Sequence, residues 1–200
     1  REALRRLAEI DPRALQAETV HALSCPAARE AGLDTVLAGW QAEGRLARGQ
    51  LAFSPLGALH PSALHGPLAQ ALEAQGHAAR DALGTGGFEA ALRDADLHAL
   101  DWWLQREPGL VNQVPAMRSG QLPWVPLARV LVPGFVGDEA RQRQVVDYLL
   151  AHGADPWRRL PHDSSQTPAS LATRLHSPLA PLLQNAPLPV PAGSPIAAVR

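Results

Sequence analysis

Apolar positions recur along this chain at helical spacing and are broken at short intervals by Gly, Pro and Asp. Leu33, Val36, Leu37 and Trp40 fall at i, i+3, i+4 and i+7, one face of an amphipathic helix that Gly44 closes. Ahead of it, Leu4 and Leu7 share a face of a helix over Glu2 to Ile10. Asp11-Pro12 then offers a capping carboxylate and a first-turn proline to a second helix, which reaches about Leu23 before Cys25-Pro26 interrupts it. Residues 47 to 66, richer in Gly, Pro, Ser and His, predict a connection with little regular structure. Pro67 opens a further helix through Ala74, with Leu68, Ala71 and Leu72 inward, and LGTGGFE at 83 to 89 reads as a flexible joint.

The second half has a repeating grammar. FEAALRDADLHALDWWLQREPGLVN (88 to 112) predicts a short helix, a turn at Asp94 to Asp96, and a second helix with Leu97, Leu100 and Leu104 on one face. Residues 120 to 156 repeat this with a longer connection, VPGFVGDEARQ, in which Pro133-Gly134 and Gly137 make a loop. QTPASLATRLHSPLAPLLQ (166 to 184) repeats it in compact form, and the Leu-Leu pair at 149 and 150 returns at 182 and 183. A period near 33 residues is that of a stacked helical array.

YLLAHGADP (148 to 156), TPASLA (167 to 172) and, more weakly, AALRDADLHALDWWL with PGLVN resemble the ankyrin repeat family. The resemblance covers about half of the chain, residues 86 to 184. It implies helix-loop-helix units joined by projecting hairpin fingers, with a non-catalytic, protein-binding role. The residues agree on physical grounds: Gly153 can take the left-handed conformation that closes a helix, and Thr167-Pro168 can cap and start the next. Departures from the family pattern are Leu122-Pro123 in place of Thr-Pro, Pro126, which moves a helix start later, and the absence of a finger after Leu183, as suits a terminal repeat.

Composition narrows the function classes. The formal net charge is -1, and the 18 basic residues are all arginine, a codon signature of a GC-rich bacterial genome. Without a basic block, nucleic acid is not an expected partner. No apolar run approaches the roughly 18 residues that cross a bilayer, so no membrane association is expected and a cytoplasmic setting is, although a chain beginning at Arg1 leaves room for a removed targeting segment. Cys25 is the lone cysteine, so no internal disulfide is possible. His21 and Cys25 are four apart but lack a third catalytic member. The eight histidines are scattered without a zinc-ligand spacing, and the glycine run at 84 to 87 lacks the strand and Lys-Ser/Thr of a phosphate loop. Glu89, Asp94, Asp96 and Asp101 read as helix-start and solvated carboxylates.

The expected architecture is therefore all-α: an N-terminal helical region (1 to 46), a connection with one helix or a degenerate repeat (47 to 85), about three ankyrin-like repeats forming a helical solenoid (86 to 184), and a Pro-rich tail (185 to 200). The expected function is that of a protein-protein interaction module that is not an enzyme and needs no cofactor or metal. Its partner-binding residues are Arg118, Trp124, Trp157, Arg158 and Arg159, types that dominate interfaces. Two alternatives stand beside it: an inhibitor or immunity protein for a cognate bacterial enzyme or toxin, and an enzyme whose site lies in residues 1 to 85.

Overall fold

The computed structural model describes residues 17–47, 51, 53–79, 87–113 and 124–187. The helix expected over 2 to 10, the start of the helix expected from Pro12, residues 83–86, Leu122-Pro123 and the tail from 188 lie outside the described residues. Those described are helical, without a strand; one isolated antiparallel bridge joins Leu160 and Asp163. The chain divides into two units, Arg1–Pro108 and Gly109–Arg200.

In the first unit, α1 (Ala17–Ser24), α2 (Pro26–Glu30), α3 (Asp34–Ala42), α4 (Pro55–Ala58) and α5 (Pro67–Ala74) precede a helix pair, α6 (Gly87–Arg93) and α7 (Leu97–Arg106). Helix α1 packs on α2, α3 and α4, while α5 packs on α3 and α4. The faces are those the periodicity predicts. Val20 and Leu23 of α1, Leu37 and Trp40 of α3, and Leu72 of α5 are buried, with Ala69 in the core where Leu68 and Ala71 are only half-buried.

Two expectations need correction here. Within the stretch 47 to 66, expected to have little regular structure, the described residues include two short helical elements: Pro55 and Pro61 each occupy a first helical position, of α4 and of a 3-10 turn over Pro61–Ala63. Leu56, Ala58, Leu59, Ala63 and Leu64 are buried there. Proline density marks helix starts in this segment, because a missing N–H costs nothing in a first turn. Likewise Gly87, Phe88 and Glu89 belong to α6 and not to a joint.

Adjacent residues on a helix point about 100° apart, yet Trp102 and Trp103 are both buried, at 0% and 1% exposure. Helix α7 is covered in two directions, by α6 and by the 3-10 turn. Trp103 meets Phe88 edge-on at 6.2 Å, and the Arg106 guanidinium lies 4.3 Å from the Trp102 ring centre. Arg106 also forks onto the Glu73 carboxylate, Nη2 to Oε2 at 3.0 Å and Nε to Oε1, which ties α7 to α5.

A 3-10 turn over Pro108–Val111 leads into the second unit. There α8 (Pro126–Val130) packs on α9 (Glu139–Ala151) and on α10 (Pro168–Arg174), and α10 packs on α11 (Ala180–Gln184). Helix α8 begins at Pro126, as its sequence predicts. The loop expected up to Gln142 ends sooner, because Asp138 Oδ1 accepts the Arg141 N–H at 2.8 Å and caps α9 four residues earlier. Arg141 and Arg143 therefore lie on a helix. Gln142 reaches back to donate to the Val130 carbonyl at 2.8 Å, satisfying the end of α8. The recurring leucines are buried in alternate senses: Leu149 of the first pair and Leu183 of the second are fully covered, a step of 34 residues and not 33.

Helix α9 closes through two paired hydrogen bonds, Gly153 N–H to Leu150 O at 3.0 Å and Ala154 N–H to Leu149 O at 2.9 Å. Gly153 sits at φ +87. His176 closes α10 by the same pattern at φ 51, with a side chain that this region disfavours. A Cβ at position 153 would touch nothing within 4 Å, so substitution there costs backbone strain and not collision. Gly153→Val is expected to lower stability by about 1–2 kcal/mol, and His176→Gly to raise it by about 0.5–1 kcal/mol. Thermal melts of the two variants beside the parent should shift in opposite directions; coincident curves would mean that neither residue closes its helix.

Candidate functional site

Three of the expected partner-binding residues lie on the finger between α9 and α10, residues 153 to 167. It is built from its backbone outward. Asn112 uses both ends of its amide on the base of the finger, donating to the Gly153 carbonyl at 3.0 Å and accepting the Asp155 N–H at 2.7 Å. Asp155 Oδ1 in turn accepts the Trp157 N–H at 2.8 Å, setting the turn after Pro156. The Pro156 carbonyl accepts the Ala169 N–H at 2.9 Å. Pro156 and Leu160 point inward and are buried.

The far side of the finger is held by a second carboxylate. Asp163 Oδ1 accepts the Ser165 N–H at 3.0 Å and its hydroxyl at 2.6 Å, and the Gln166 amide donates to Oδ2. Leu160 N–H donates to Gln166 O at 2.9 Å, closing the reversal. Thr167 then caps α10 in a reciprocal box with Ser170, Ser170 N–H to Thr167 Oγ1 at 3.2 Å and Thr167 N–H to Ser170 Oγ at 2.9 Å. The box confirms Thr167 and Pro168 in their expected positions.

This frame turns three of the expected partner-binding residues outward. Trp157 is 41% exposed, one of two large apolar side chains so exposed among the described residues. Arg158 and Arg159 beside it are exposed. Arg158 Nη2 donates to Gln113 Oε1 at 2.8 Å. No acidic side chain pairs with either arginine among the described residues. Trp124 is half-buried at the start of the segment leading into α8, and Arg118 lies outside the described residues. Asn112, Gln113 and Asp163 were not picked out from the sequence, because their partners lie at positions that only the fold or the turn brings beside them.

Elsewhere in the second unit, a groove of about 740 Å³ runs between α9 and α11, lined by Leu150, Ala151, Pro178, Pro181, Leu182 and Pro187 among others. An Arg143–Asp147 ion pair of 3.7 Å stands on its α9 wall.

The groups weighed for chemistry in the first unit have structural roles. Asp96 caps α7 through the Ala99 N–H at 2.9 Å, Asp94 pairs with Arg93 at 3.2 Å, and Asp101 accepts from Gln105 at 2.6 Å. Cys25 is a half-buried free thiol that precedes α2. Folding also joins histidines that spacing left apart: His21 meets His60 with ring centres 5.0 Å apart, and His65 meets His98 at 3.9 Å. Burial, then the neighbouring His21, hold His60 below its ordinary value, against the pull of Asp96, so its ring is neutral at neutral pH. Among the described residues no three His, Cys, Asp or Glu side chains gather as a metal set, and no helix is long and apolar enough to cross a membrane.

Compared with known proteins, the chain matches no family model, no curated sequence and no solved structure.

The Asp163 carboxyl is held below its ordinary value, first by the Ser165 hydroxyl, then by the Ser165 N–H and the Gln166 amide. A carboxyl depressed in the folded state stabilises above its unfolded pKa, and that contribution is lost as pH falls through the folded value. The finger should thus keep this contact through the ordinary carboxylate range and lose it only in more acid solution, as pH falls through the lowered Asp163 value. A carbon-detected NMR titration should find Asp163 below the ordinary aspartate value. In Ser165→Ala it should move up; an unmoved value would mean that the hydroxyl does not hold the carboxylate.

Proposed function

We propose that the chain is a protein-binding module of the ankyrin-repeat type, and that it engages its partner through the finger carrying Trp157, Arg158 and Arg159. The observation that carries this reading is an exposed tryptophan followed by two exposed arginines on a loop whose backbone is fixed at both ends. Tryptophan brings a large contact area with few rotors to freeze, and arginine brings a planar fork of donors suited to carboxylates. Such residues carry most of the energy in the interfaces where they occur.

The repeat assignment has separate support. In the second unit the first helices of consecutive helix pairs, α8 and α10, pack on one another, the contact by which stacked repeats share a core. The second helix of the earlier pair ends in Gly-Ala-Asp-Pro with its capping hydrogen bonds made, and the next pair opens on a capped Thr-Pro. Binding at the finger asks for no catalytic group, cofactor or metal there.

The test compares two double variants as baits in extracts of the source cell, followed by titration of whatever protein is captured. Trp157→Ala with Arg158→Ala should weaken binding by more than about 2 kcal/mol, near thirtyfold, while the melting temperature stays close to that of the parent, since both residues are exposed and neither belongs to the buried core. Arg141→Ala with Arg143→Ala, on the exposed face of α9, is the control and should leave binding intact. Loss of binding in the α9 control with retention in the finger variant would place the interface on the second helices.

A further inference from the structure

We propose that His60, in the first unit, is a proton-operated cap: its neutral ring closes the start of the 3-10 turn over Pro61–Ala63, and a proton gained in mildly acid solution loosens that turn. A helical start leaves its first N–H groups without partners of their own. His60 stands at that start in extended backbone, φ -60 and ψ 142, with Pro61 after it. Proline has no N–H, so the group to be satisfied is that of Ser62. It donates to His60 Nδ1 at 3.2 Å, and the Ser62 hydroxyl lies 2.9 Å from the same nitrogen. An imidazole nitrogen accepts only through a lone pair, so this ring is neutral and carries its hydrogen on Nε2.

The acceptor role sets His60 apart. The other ring-nitrogen hydrogen bonds among the described residues meet carbonyls: His65 Nε2 with His98 O at 3.0 Å, His77 Nε2 with Leu46 O at 2.9 Å, and His152 Nδ1 with Tyr148 O at 2.8 Å. A carbonyl only accepts, so those rings donate, and a charged ring donates as well as a neutral one. At His60 a proton fills the lone pair that the Ser62 N–H uses. The Ser62 hydroxyl can reverse and accept from the new N–H; the backbone group cannot, and it is left without a partner.

The surroundings act in the same direction on balance. Burial first, then His21 of α1, whose ring centre lies 5.0 Å away, hold His60 below its ordinary value; Asp96 at the start of α7 pulls the other way, and Arg29 of α2 adds to the depression. Asp96 is already engaged, its Oδ1 accepting the Ala99 N–H. Because the folded value lies below the ordinary 6.5, the unfolded chain binds this proton more tightly. The cap's contribution is therefore complete above the ordinary value and is lost as pH falls from there through the folded one. What loosens is bounded. Buried Ser24 accepts the His60 backbone N–H at 2.7 Å and donates to the His21 carbonyl at 3.0 Å, contacts that do not involve the ring, so the His60 backbone stays on α1. The turn beyond it, which packs on α7 and buries Ala63, is the part that gives way.

The experiment uses the whole chain. Long-range nitrogen NMR at about pH 8 should show the His60 hydrogen on Nε2. Between about pH 8 and pH 5, where histidine changes charge, the ring should titrate below 6.5, and the protection factor of the Ser62 amide should fall along the same curve. His60→Asn supplies a cap whose amide oxygen accepts at every pH. Relative to the parent it should gain stability toward the acid end, by up to tenfold in the unfolding equilibrium for each unit by which the measured His60 value lies below 6.5. In His65→Gln the Ser62 amide should still follow the His60 ring. Should His60→Asn fail to fold, the Ser62 amide of the parent decides by itself. A hydrogen on Nδ1, a Ser62 amide indifferent to the His60 titration, or stability curves that stay parallel in the parent and His60→Asn would overturn the assignment.

Discussion

The way a helix is closed governs this molecule more than any single core contact. Six helix ends, at Gly32, Gly44, Gly76, Ala95, Gly153 and His176, share one device. The residue in the left-handed region donates to the carbonyl three back, and the next residue donates to the carbonyl five back from itself. A helix leaves its last carbonyls unpartnered, and this pattern satisfies two of them while turning the chain sharply away. With helices of four to thirteen residues, many backbone hydrogen bonds lie at helix ends. Such short helices have little stability of their own and persist because the reversal returns the next apolar face onto the last one.

The reversals also place polar side chains where they can work on neighbouring backbone. Asn112 holds Gly153 and Asp155, Gln142 holds Val130, and buried His77 contacts the Leu46 carbonyl at 2.9 Å. In each case a side chain from one turn meets a main-chain group elsewhere, as buried or half-buried polar groups require. The exceptions are the Ser54 hydroxyl and the indole N–H groups of Trp40, Trp102 and Trp103, which find no hydrogen-bond partner among the described residues. Each unmade bond costs about 1–3 kcal/mol, offset at the tryptophans by the large apolar area each removes from water.

Helices with a strong period or an evident start were legible in the sequence. The bounds of α5, the Asp96 cap, the late start of α8 at Pro126 and the Thr167-Pro168 opening of α10 all follow from local chemistry that nearby residues complete by themselves. The rest depended on contacts between distant positions. Residues 55 to 64 look like a loop because their prolines and glycine break any period, and only burial against α1, α5 and α7 shows that they are packed helices. Ala95 and His176 gave no sign of a left-handed conformation, since neither side chain favours it; the turn geometry imposes it. Trp157 and its arginines were legible as candidates because they follow Asp-Pro. Asn112 was not, because its role exists only once residue 153 has been brought beside it.

On the binding role proposed above, the finger's cost of ordering would be met before a partner arrives. A loop that must be immobilised on binding loses side-chain and backbone freedom that the interface has to offset. Here Asn112 fixes the base, Asp155 fixes the Trp157 N–H, Asp163 fixes the far turn, and buried Pro156 and Leu160 anchor the loop from beneath. The groups turned outward are the side chains of Trp157, Arg158 and Arg159, of which Arg158 also donates to Gln113. Freedom confined to side chains suits selectivity: a guanidinium can search for a carboxylate on a partner while the backbone that aims it stays still. The same logic separates the finger from the α9–α11 groove, whose wall arginine Arg143 already has Asp147 for a neighbour and gains less from an added carboxylate.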